Sequence, residues 1–363
     1  MNPRIVFTGG GTAGHVTPNL ALIEALQKDS WQIDYIGSEE GVEKGMVAPL
    51  NIPYHTISTG KLRRYFSWQN FIDPFKTIFG IGQAYCILKK QKTDLVFSKG
   101  GFVALPVVIA AWLNRIPVLA HESDMSPGLA NRLSFPFVDK ICVTFEAARQ
   151  HFKTKEKVEV TGTPIRQDLF NGVKEKALAL CGFNAEKPCL LVMGGSLGSL
   201  RLNNALRTAL PSICKTYQVI HLCGKGKVDA AFVNYAGYHQ FEYANKELAD
   251  LFAAADLVVS RAGANSLYEI LALAKPHILI PLPCNASRGD QIQNALFFKE
   301  QGLSTVIDDE LLTTENLLEA INNVGLCRNE IIKKIKALNI ESATQKIIGL
   351  IKEQLHVEYS EAV

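Results

Sequence analysis

The sequence predicts an α/β protein with two Rossmann-like domains that face a cleft. Its 363 residues are 47% hydrophobic and 20% charged, which is enough chain for two domains with full cores. Two segments, beginning at Arg4 and at Cys189, open alike with a buried strand, a glycine-rich turn and an apolar-periodic helix. A stretch containing Gly and Pro, residues 158–166, separates them. We therefore expect one domain at residues 1–160 and a second that begins at residue 161.

Composition narrows the class of protein. No uninterrupted run of about 18 apolar residues occurs, and the N-terminus lacks the apolar core of a signal peptide. The eight cysteines include no C-x-x-C pair and lie mostly inside apolar runs, so we expect buried thiols and a reducing compartment. These features predict a protein that neither crosses a membrane nor is exported through a signal peptide.

The first glycine-rich turn, Gly9 to Gly14, follows the strand that starts at Arg4. It satisfies the G-x-G-x-x-G pattern, so a dinucleotide-binding domain with Asp34 or Glu39 as the ribose acid is one interpretation. His15 follows the last glycine at the predicted start of a helix. A histidine there could cap or pack, but a helix N-terminus also favours the neutral imidazole, which could act as a base.

Polar or glycine-rich residues follow two later strands of the same domain. Residues 99–102 and residues 121–124 each come directly after a short apolar run. Because open parallel sheets bind ligands beyond the carboxyl ends of their strands, we expect both segments to meet His15 at one crevice. The alternative, that His121 and Glu122 only hydrogen-bond to loops, stays open.

The segment from Lys61 to Lys92 combines seven basic residues and one acidic residue with several aromatic residues. Phe71, Phe75 and Phe79 recur at every fourth position, which is a helical spacing. Such a face could be core, could bind single-stranded nucleic acid, or could lie in an anionic lipid surface. We expect the lipid surface, because the spacing is helical and the rest of the chain is not basic.

Residues 255–274 are the most informative stretch of the second domain, and they predict a strand, a small-residue loop and a helix. This arrangement directs N–H groups and a helix N-terminus at one point, which suits a phosphate, and Arg261 would add a positive charge there. Glu269 could accept from a sugar hydroxyl, or it could only close a Ser-x-x-Glu capping box with Ser266. A later polar cluster offers a similar choice, since Asp290 and Gln291 could cap a helix or bind sugar hydroxyls.

Seven motifs together carry a specific resemblance, and they occur in order from the first glycines to about Asn294. They are GGGTAGHVTP, SKGGFVALPVVIAA, HESDMSPGLANR, GTPIR, MGGSLGS, SRAGANSLYE and RGDQIQNA. In this combination the chain resembles the inverting N-acetylglucosaminyltransferases of peptidoglycan synthesis. The resemblance implies a B-type glycosyltransferase fold, with an acceptor- and membrane-binding domain at 1–160, a UDP-sugar-binding domain at 161–340 and a final helix at 341–363 that packs back on the first domain.

The resemblance also implies roles for individual residues. Glu269 would hold the ribose, Arg166 the charge of the diphosphate and Gln291 the transferred sugar. His15 is the expected base, and Glu122 and Asp124 are the other catalytic candidates. The remaining substrate-binding candidates are Thr12, Gly14, Ser196, Arg261, Ala264, Asn265 and Ser266, and the acceptor pyrophosphate is expected at Gly11, Gly14, Gly100 and Gly101.

Two motifs depart from the pattern of that family. Ala13 stands where glycine is frequent, and Ser123 and Asp124 stand where Gln-Asn is frequent. The second departure leaves the role of Asp124 open, because an acid replaces an amide that could donate to the sugar.

The activity implied is inverting transfer of N-acetylglucosamine from UDP-N-acetylglucosamine to the 4-hydroxyl of undecaprenyl-pyrophosphoryl-N-acetylmuramyl-pentapeptide, at the cytoplasmic face of the cell membrane. The implied partners are this donor, this lipid-linked acceptor and an anionic membrane surface at Lys61 to Lys92, without nucleic acid. No cofactor or metal site is expected, because the chain has no Asp-x-Asp pair, although stimulation by a divalent cation stays open. The alternatives are another UDP-sugar enzyme of this fold, such as a glycolipid glycosyltransferase or an epimerase, and an NAD-linked oxidoreductase.

Overall fold

The computed structural model describes residues 2–60, 69–195, 198–338, 340 and 342–361. Ser196 and the first part of the basic segment, residues 61–68, lie outside the described residues. The chain divides into two compact units, which we call unit 1 (Met1–Ile165 with Ser342–Val363) and unit 2 (Arg166–Glu341).

Unit 1 is built on a parallel sheet of seven strands. They are β1 (Arg4–Thr8), β2 (Gln32–Gly37), β3 (Tyr54–Thr56), β4 (Leu95–Ser98), β5 (Val118–Glu122), β6 (Lys140–Val143) and β7 (Val158–Val160). Their order across the sheet is β3-β2-β1-β4-β5-β6-β7. The inner strands β4 and β5 are buried along their whole length, as is typical of a parallel sheet covered on both faces.

The connecting helices of unit 1 lie between consecutive strands. They are α1 (Thr17–Lys28), α2 (Val42–Val47), α3 (Gln69–Gln91), α4 (Ala104–Leu113) and α5 (Leu129–Ser134). Pro18 lies in the first turn of α1, where proline suits a helix because the N–H it lacks would have no partner. Short 3-10 turns at Ala13–His15, Ala48–Leu50, Phe135–Phe137, Glu146–His151 and Lys155–Lys157 complete the connections.

Unit 2 repeats this architecture with a parallel sheet of six strands. They are β8 (Cys189–Met193), β9 (Gln218–Leu222), β10 (Tyr238–Phe241), β11 (Ala255–Ser260), β12 (His277–Leu279) and β13 (Thr305–Val306), in the order β10-β9-β8-β11-β12-β13. In both units the strand order reverses next to the first strand, which is where open α/β sheets bind ligands. The predicted pair of Rossmann-like α/β domains is confirmed.

The helices of unit 2 are α6 (Lys174–Cys181), α7 (Leu200–Ile213), α8 (Leu248–Ala254), α9 (Ala264–Ala272), α10 (Asp290–Glu300) and α11 (Thr314–Ala337). Short 3-10 turns lie at Gln167–Asn171, Ala230–Phe232 and Asp309–Leu311. Local sequence explains several helix ends. Ser199 caps α7 by accepting from the N–H of Leu202, and Thr313 opens α11 with a capping box that Asn316 completes.

The last helix, α12 (Thr344–Glu361), belongs to unit 1. It packs against α1, and Ile347 and Ile351 lie in the same buried cluster as Phe7 of β1. Unit 1 also keeps the chain as far as Ile165 rather than residue 160, because the N–H of Ile165 donates to the Ser342 hydroxyl at 3.2 Å.

The strand β5 ends in His121 and Glu122, at the carboxyl edge of the sheet. The expectation of buried thiols is wrong for three cysteines. Cys86, Cys284 and Cys327 are exposed, although the remaining thiols are buried or half-buried. Apolar neighbours in sequence do not show on which side of a helix a residue lies, and both Cys86 and Cys327 are on helices.

Candidate functional site

The loop between β11 and α9 in unit 2 was predicted to bind phosphate. Gly263 precedes the first residue of α9, and no side chain caps this helix end. Ser266 and Glu269 therefore lie inside the helix, so the capping-box alternative is wrong. The N–H groups of the first helical turn point out of the helix without intrahelical acceptors, as at any helix N-terminus, and Ala264 and Asn265 begin this turn.

The Glu269 carboxylate lies next to a cationic side chain. Burial raises the pKa of Glu269 to about 7, while Arg166 lowers this pKa and Asp168 raises it further. No donor among the described residues hydrogen-bonds to this carboxylate. Arg166 itself lies 3.8 Å from Asp168, measured from Nε to Oδ1. The structure thus brings together Arg166 and Glu269, and it leaves the carboxylate able to accept from a ligand.

The Gln291 amide lies at the start of α9. Its Oε1 accepts from the N–H of Leu282 at 3.1 Å, which fixes the plane of the amide. Its Nε2 would be 3.8 Å from a Cβ on Gly263, and no described residue accepts from it. Gln291 therefore does not cap α10, and it presents two N–H donors near the N-terminus of α9.

The Arg261 guanidinium is bound within unit 2. Its Nη1 lies 2.6 Å from Oδ1 of Asp309 and donates to the carbonyl of Ile280 at 2.9 Å. Its Nη2 donates to the Ser199 hydroxyl at 2.5 Å. Asp309 therefore already balances the charge of Arg261, and contact of this arginine with a phosphate stays a prediction.

The second glycine-rich turn connects β8 to α7. Gly195 and Gly198 both have positive φ, and a Cβ on Gly198 would lie 2.1 Å from the carbonyl oxygen of Cys223. Only glycine fits this close approach. Ser196, one of the predicted substrate-binding residues, lies between these glycines and outside the described residues.

In unit 1, His15 lies in a 3-10 turn that precedes α1 rather than in the helix itself. The side chain is half-buried, and its Cδ2 would be 3.1 Å from a Cβ on Gly101. The structure thus brings the predicted base against the glycine turn that follows β4, as the positions of both segments after parallel strands predicted.

The glycine turns after β1 and after β4 form hydrogen bonds with each other and with nearby side chains. The N–H of Gly10 donates to the carbonyl of Gly100 at 3.3 Å. The N–H of Gly101 donates to Oδ1 of Asn131 at 3.3 Å, and the N–H of Gly11 donates to Oε2 of Glu43 at 3.2 Å. Two of the N–H groups expected to bind a pyrophosphate are therefore already donating, while Thr12 and Gly14 lie in the exposed part of the turn.

Glu122 is buried and uses its carboxylate to hold the loop after β5. It accepts from the N–H of Asp124 at 3.0 Å and from Nδ2 of Asn131 at 2.7 Å. His121 donates from Nε2 to the carbonyl of Gly162 at 2.8 Å, and burial lowers its pKa to about 3, so it is neutral. These contacts favour the loop-bonding alternative for both residues, and a catalytic part for Glu122 or Asp124 stays a prediction.

The sequence analysis assigned no chemical role to two buried charged residues at this site, although Lys99 lies in the predicted segment 99–102. Lys99 is 1% exposed, and burial lowers its pKa against the opposing effect of Glu122 and Asp124. Glu43 is fully buried beside the first glycine turn. The contact of Glu43 with Gly11 could not be predicted from a sequence motif, because the two residues are 32 positions apart in the chain.

Of the two ribose acids that the dinucleotide interpretation offered, Asp34 does not fit, while Glu39 is exposed directly after β2. Asp34 lies in the middle of β2 and not at its carboxyl end. Its two carboxylate oxygens lie 2.9 Å from Arg4 and 2.9 Å from His55, and its side chain is almost fully buried. It is therefore not available to a ribose.

An apolar face of unit 1 remains exposed. On α3, the side chains of Phe75, Ile78 and Phe79 are 74%, 66% and 64% exposed, and the exposed Lys76 lies among them. The core alternative is therefore wrong for Phe75 and Phe79, while the side chain of Phe71 lies outside the described residues. None of the helices in the described ranges combines the length and the apolar character needed to span a membrane.

Comparison with known proteins assigns a family to these two units. The N-terminal domain of glycosyltransferase family 28 matches residues 5–143, and the C-terminal domain of that family matches residues 189–350. The chain belongs to glycosyltransferase family 28.

Family-28 relatives match the chain over almost its whole length. The UDP-N-acetylglucosamine–N-acetylmuramyl-(pentapeptide) pyrophosphoryl-undecaprenol N-acetylglucosamine transferase of Legionella pneumophila strain Paris is 64% identical over 99% of both chains. The transferase of the same name from Lachnoclostridium phytofermentans is 55% identical over 96% of this chain and 98% of its own.

A solved structure has the same fold as this chain. The crystal structure of Acinetobacter baumannii MurG superposes with a TM-score of 0.75 at 27% identity, and the match covers 97% of this chain and 99% of that one. The predicted B-type glycosyltransferase fold is confirmed, and the chain is a hexosyltransferase.

Proposed function

We propose that this chain transfers N-acetylglucosamine from UDP-N-acetylglucosamine to N-acetylmuramyl-(pentapeptide) pyrophosphoryl-undecaprenol, with inversion at the anomeric carbon. The observation that carries the proposal is the identity of 64% and 55% to full-length relatives named for this reaction. The same relatives favour this reaction over that of another UDP-sugar enzyme of the fold.

Unit 2 supplies the groups for the sugar nucleotide. The Glu269 carboxylate, which has no donor of its own among the described residues, accepts from the ribose hydroxyls. The N-terminus of α9 and the positive charge of Arg166 bind the diphosphate, because both favour negative charge. The free N–H groups of Gln291 donate to the sugar that is transferred.

Unit 1 supplies the base. His15 takes the proton of the acceptor 4-hydroxyl as that oxygen forms a bond to the anomeric carbon. The bond from this carbon to the UDP oxygen breaks with its electron pair, and UDP leaves on the opposite face. The helix N-terminus and Arg166 stabilise the charge that develops on the leaving diphosphate. Asp124 is the alternative base, while the hydrogen bonds of Glu122 support a positioning part.

The chain binds peripherally to the cytoplasmic face of the membrane through the apolar face of α3. Exposed Phe75, Ile78 and Phe79 next to Lys76 give this helix an aromatic surface beside a positive charge. That combination favours an interface with anionic lipid, because the rings enter the headgroup region while lysine stays with the phosphates. This position brings unit 1 to a lipid-linked acceptor.

A transfer assay tests the reaction directly. Purified protein is incubated with labelled UDP-N-acetylglucosamine and a short-chain prenyl-pyrophosphoryl acceptor, and we expect a labelled disaccharide lipid together with one UDP for each transfer. Absence of the labelled product would overturn the proposal. Conversion of the nucleotide sugar without the acceptor would indicate an epimerase instead, and protection of the fold by NAD but not by UDP would indicate an oxidoreductase.

A further inference from the structure

We infer that Glu43 is a positioning residue of the acceptor site, because its carboxylate holds the glycine turn that carries His15. The inference rests on the proposed function. Oε2 of Glu43 accepts from the N–H of Gly11 at 3.2 Å. Oε1 accepts from the N–H of Ser38 at 3.0 Å and from the Ser38 hydroxyl at 2.5 Å.

The carboxylate occupies a slot that glycines leave open. A Cβ on Gly10 would lie 2.6 Å from the carboxyl carbon of Glu43, and a Cβ on Gly41 would lie 2.1 Å from Oε1. Real Cβ atoms do not approach this closely, so either side chain would displace the carboxylate. Gly10 of the turn and Gly41 at the start of α2 therefore both leave room for this carboxylate.

The carboxylate of Glu43 is held by hydrogen bonds and not by a cation. No lysine or arginine of the described chain forms an ion pair with it, and it is fully buried. The N–H and O–H donors take the place of the water that the carboxylate loses on burial.

Two tyrosines border the same carboxylate. Burial raises the pKa of Tyr54 well above its ordinary value, and Glu43 raises it further, while the Tyr35 pKa is raised by burial and by Glu43 against a hydrogen bond from Asn19. Both hydroxyls therefore stay protonated. Tyr35 uses its hydroxyl to donate to the carbonyl of Gly9 at 2.7 Å, so it braces the same turn from the other side.

The residues of the turn therefore have different surroundings. The N–H of Gly11 faces Glu43 and is unavailable to the acceptor pyrophosphate. The exposed residues Thr12 and Gly14 and the half-buried His15 follow directly, so the turn fixes where the base stands. Loss of the Gly11 bond should move His15 relative to the acceptor hydroxyl, and a small displacement of a reacting group costs about 10- to 100-fold in rate.

The test is Glu43→Gln in the full chain. Glutamine keeps the size of the side chain, but with Oε1 held by Ser38 its NH2 group faces the N–H of Gly11, so a donor meets a donor. We expect kcat/KM for the lipid acceptor to fall about 10- to 100-fold, with KM for UDP-N-acetylglucosamine within about twofold of the wild type. Glu40→Gln, at an exposed position in the loop that precedes α2, is the charge-matched control and should leave all constants unchanged.

Two results would overturn the inference, provided that the wild type is active. One is unchanged kinetics for the acceptor in Glu43→Gln. The other is a lower KM for the acceptor, because it would mean that Glu43 competes with the pyrophosphate. If Glu43→Gln does not fold, Ser38→Ala removes one donor from the same carboxylate and should weaken acceptor kinetics less but in the same direction. A wild type without transfer activity would instead contradict the proposed function.

Discussion

Arg261 and Asp309 form a buried ion pair in unit 2, with 2.6 Å between Nη1 and Oδ1 and both side chains 9% exposed. Arg261 follows β11 and Asp309 follows β13, so the pair ties two loops at the carboxyl edge of the sheet. Ser199, the cap of α7, also accepts from this arginine. The pair and Ser199 therefore link the chain after β8, after β11 and after β13.

We expect Asp309→Asn to destabilise unit 2 by about 3–5 kcal/mol, because it leaves a buried guanidinium without its counter-charge. All three tryptophans, Trp31, Trp68 and Trp112, lie in the unit 1 part of the sequence, so hydrogen–deuterium exchange of β8 peptides is the suitable measurement. Glu310→Gln, at the exposed neighbouring position, is the control. If β8 is equally protected from hydrogen exchange in both variants, the ion pair does not stabilise unit 2.

Donor affinity should depend on pH through Glu269. Its pKa is raised to about 7, so the carboxyl group takes up a proton as the pH falls below that value and becomes a weaker acceptor for ribose hydroxyls. We expect the Kd for UDP, measured by calorimetry, to rise between pH 8 and pH 6. Glu269→Gln should bind UDP about tenfold more weakly or worse and should remove this pH dependence. A wild type with a flat profile would contradict the assignment.

The same pKa shift has a consequence for stability without ligand. The folded protein binds the Glu269 proton more tightly than the unfolded chain does, because the pKa rises from 4.5 to about 7. The contribution of this group to the free energy of unfolding should therefore fall as the pH rises through that interval. Urea titrations of the wild type and of Glu269→Gln near pH 4.5 and near pH 7 measure this contribution. The difference in the free energy of unfolding between the two proteins should be larger near pH 7.

His15→Ala should reduce turnover by about 10²-fold or more, because the acceptor hydroxyl loses its base. UDP affinity should not change, since the predicted donor groups belong to unit 2. The matched control is His151→Ala, an exposed histidine of the same unit. If His15→Ala turns over as fast as the wild type, His15 is not the base. Asp124→Asn is then the next variant to measure.

Gln291→Ala should weaken the binding of UDP-N-acetylglucosamine but not of UDP, because the amide is expected to donate to the sugar. One hydrogen bond contributes about 0.5–1.5 kcal/mol, so KM for the sugar nucleotide should rise about two- to tenfold. The exposed Gln293 on the same helix provides the control, Gln293→Ala. Parallel loss of affinity for UDP and for the sugar nucleotide would place Gln291 at the nucleotide instead.

Membrane binding should depend on the apolar face of α3. The double variant Phe75→Ser with Phe79→Ser should bind vesicles containing phosphatidylglycerol at least about tenfold more weakly, since burying one Phe contributes about 1.5–3 kcal/mol. Val233→Ser removes a similarly exposed apolar side chain from unit 2 and should bind like the wild type. Co-sedimentation with the vesicles measures the effect, and unchanged binding of the double variant would exclude this face.

The local parts of the site were predictable because their signals are local. A buried apolar run before glycines predicted the turns after β1, β4 and β8, and these residues alone determine where a strand stops and a tight bend follows. The predicted capping box at Ser266 is wrong, although it too is a local pattern. The pattern fits a helix start, but α9 begins two residues earlier, at Ala264.

The sequence by itself determined two parallel α/β units, their glycine turns and the motifs that indicate the family, because strand burial, helical periodicity and glycine content are properties of neighbouring residues. Only the tertiary structure decided that Glu43 bonds Gly11, that Asp309 balances Arg261 and that Phe75 and Phe79 face outward. These relationships join residues far apart in the chain, and a charged or aromatic side chain shows its partner only when the fold has set its burial and its neighbours.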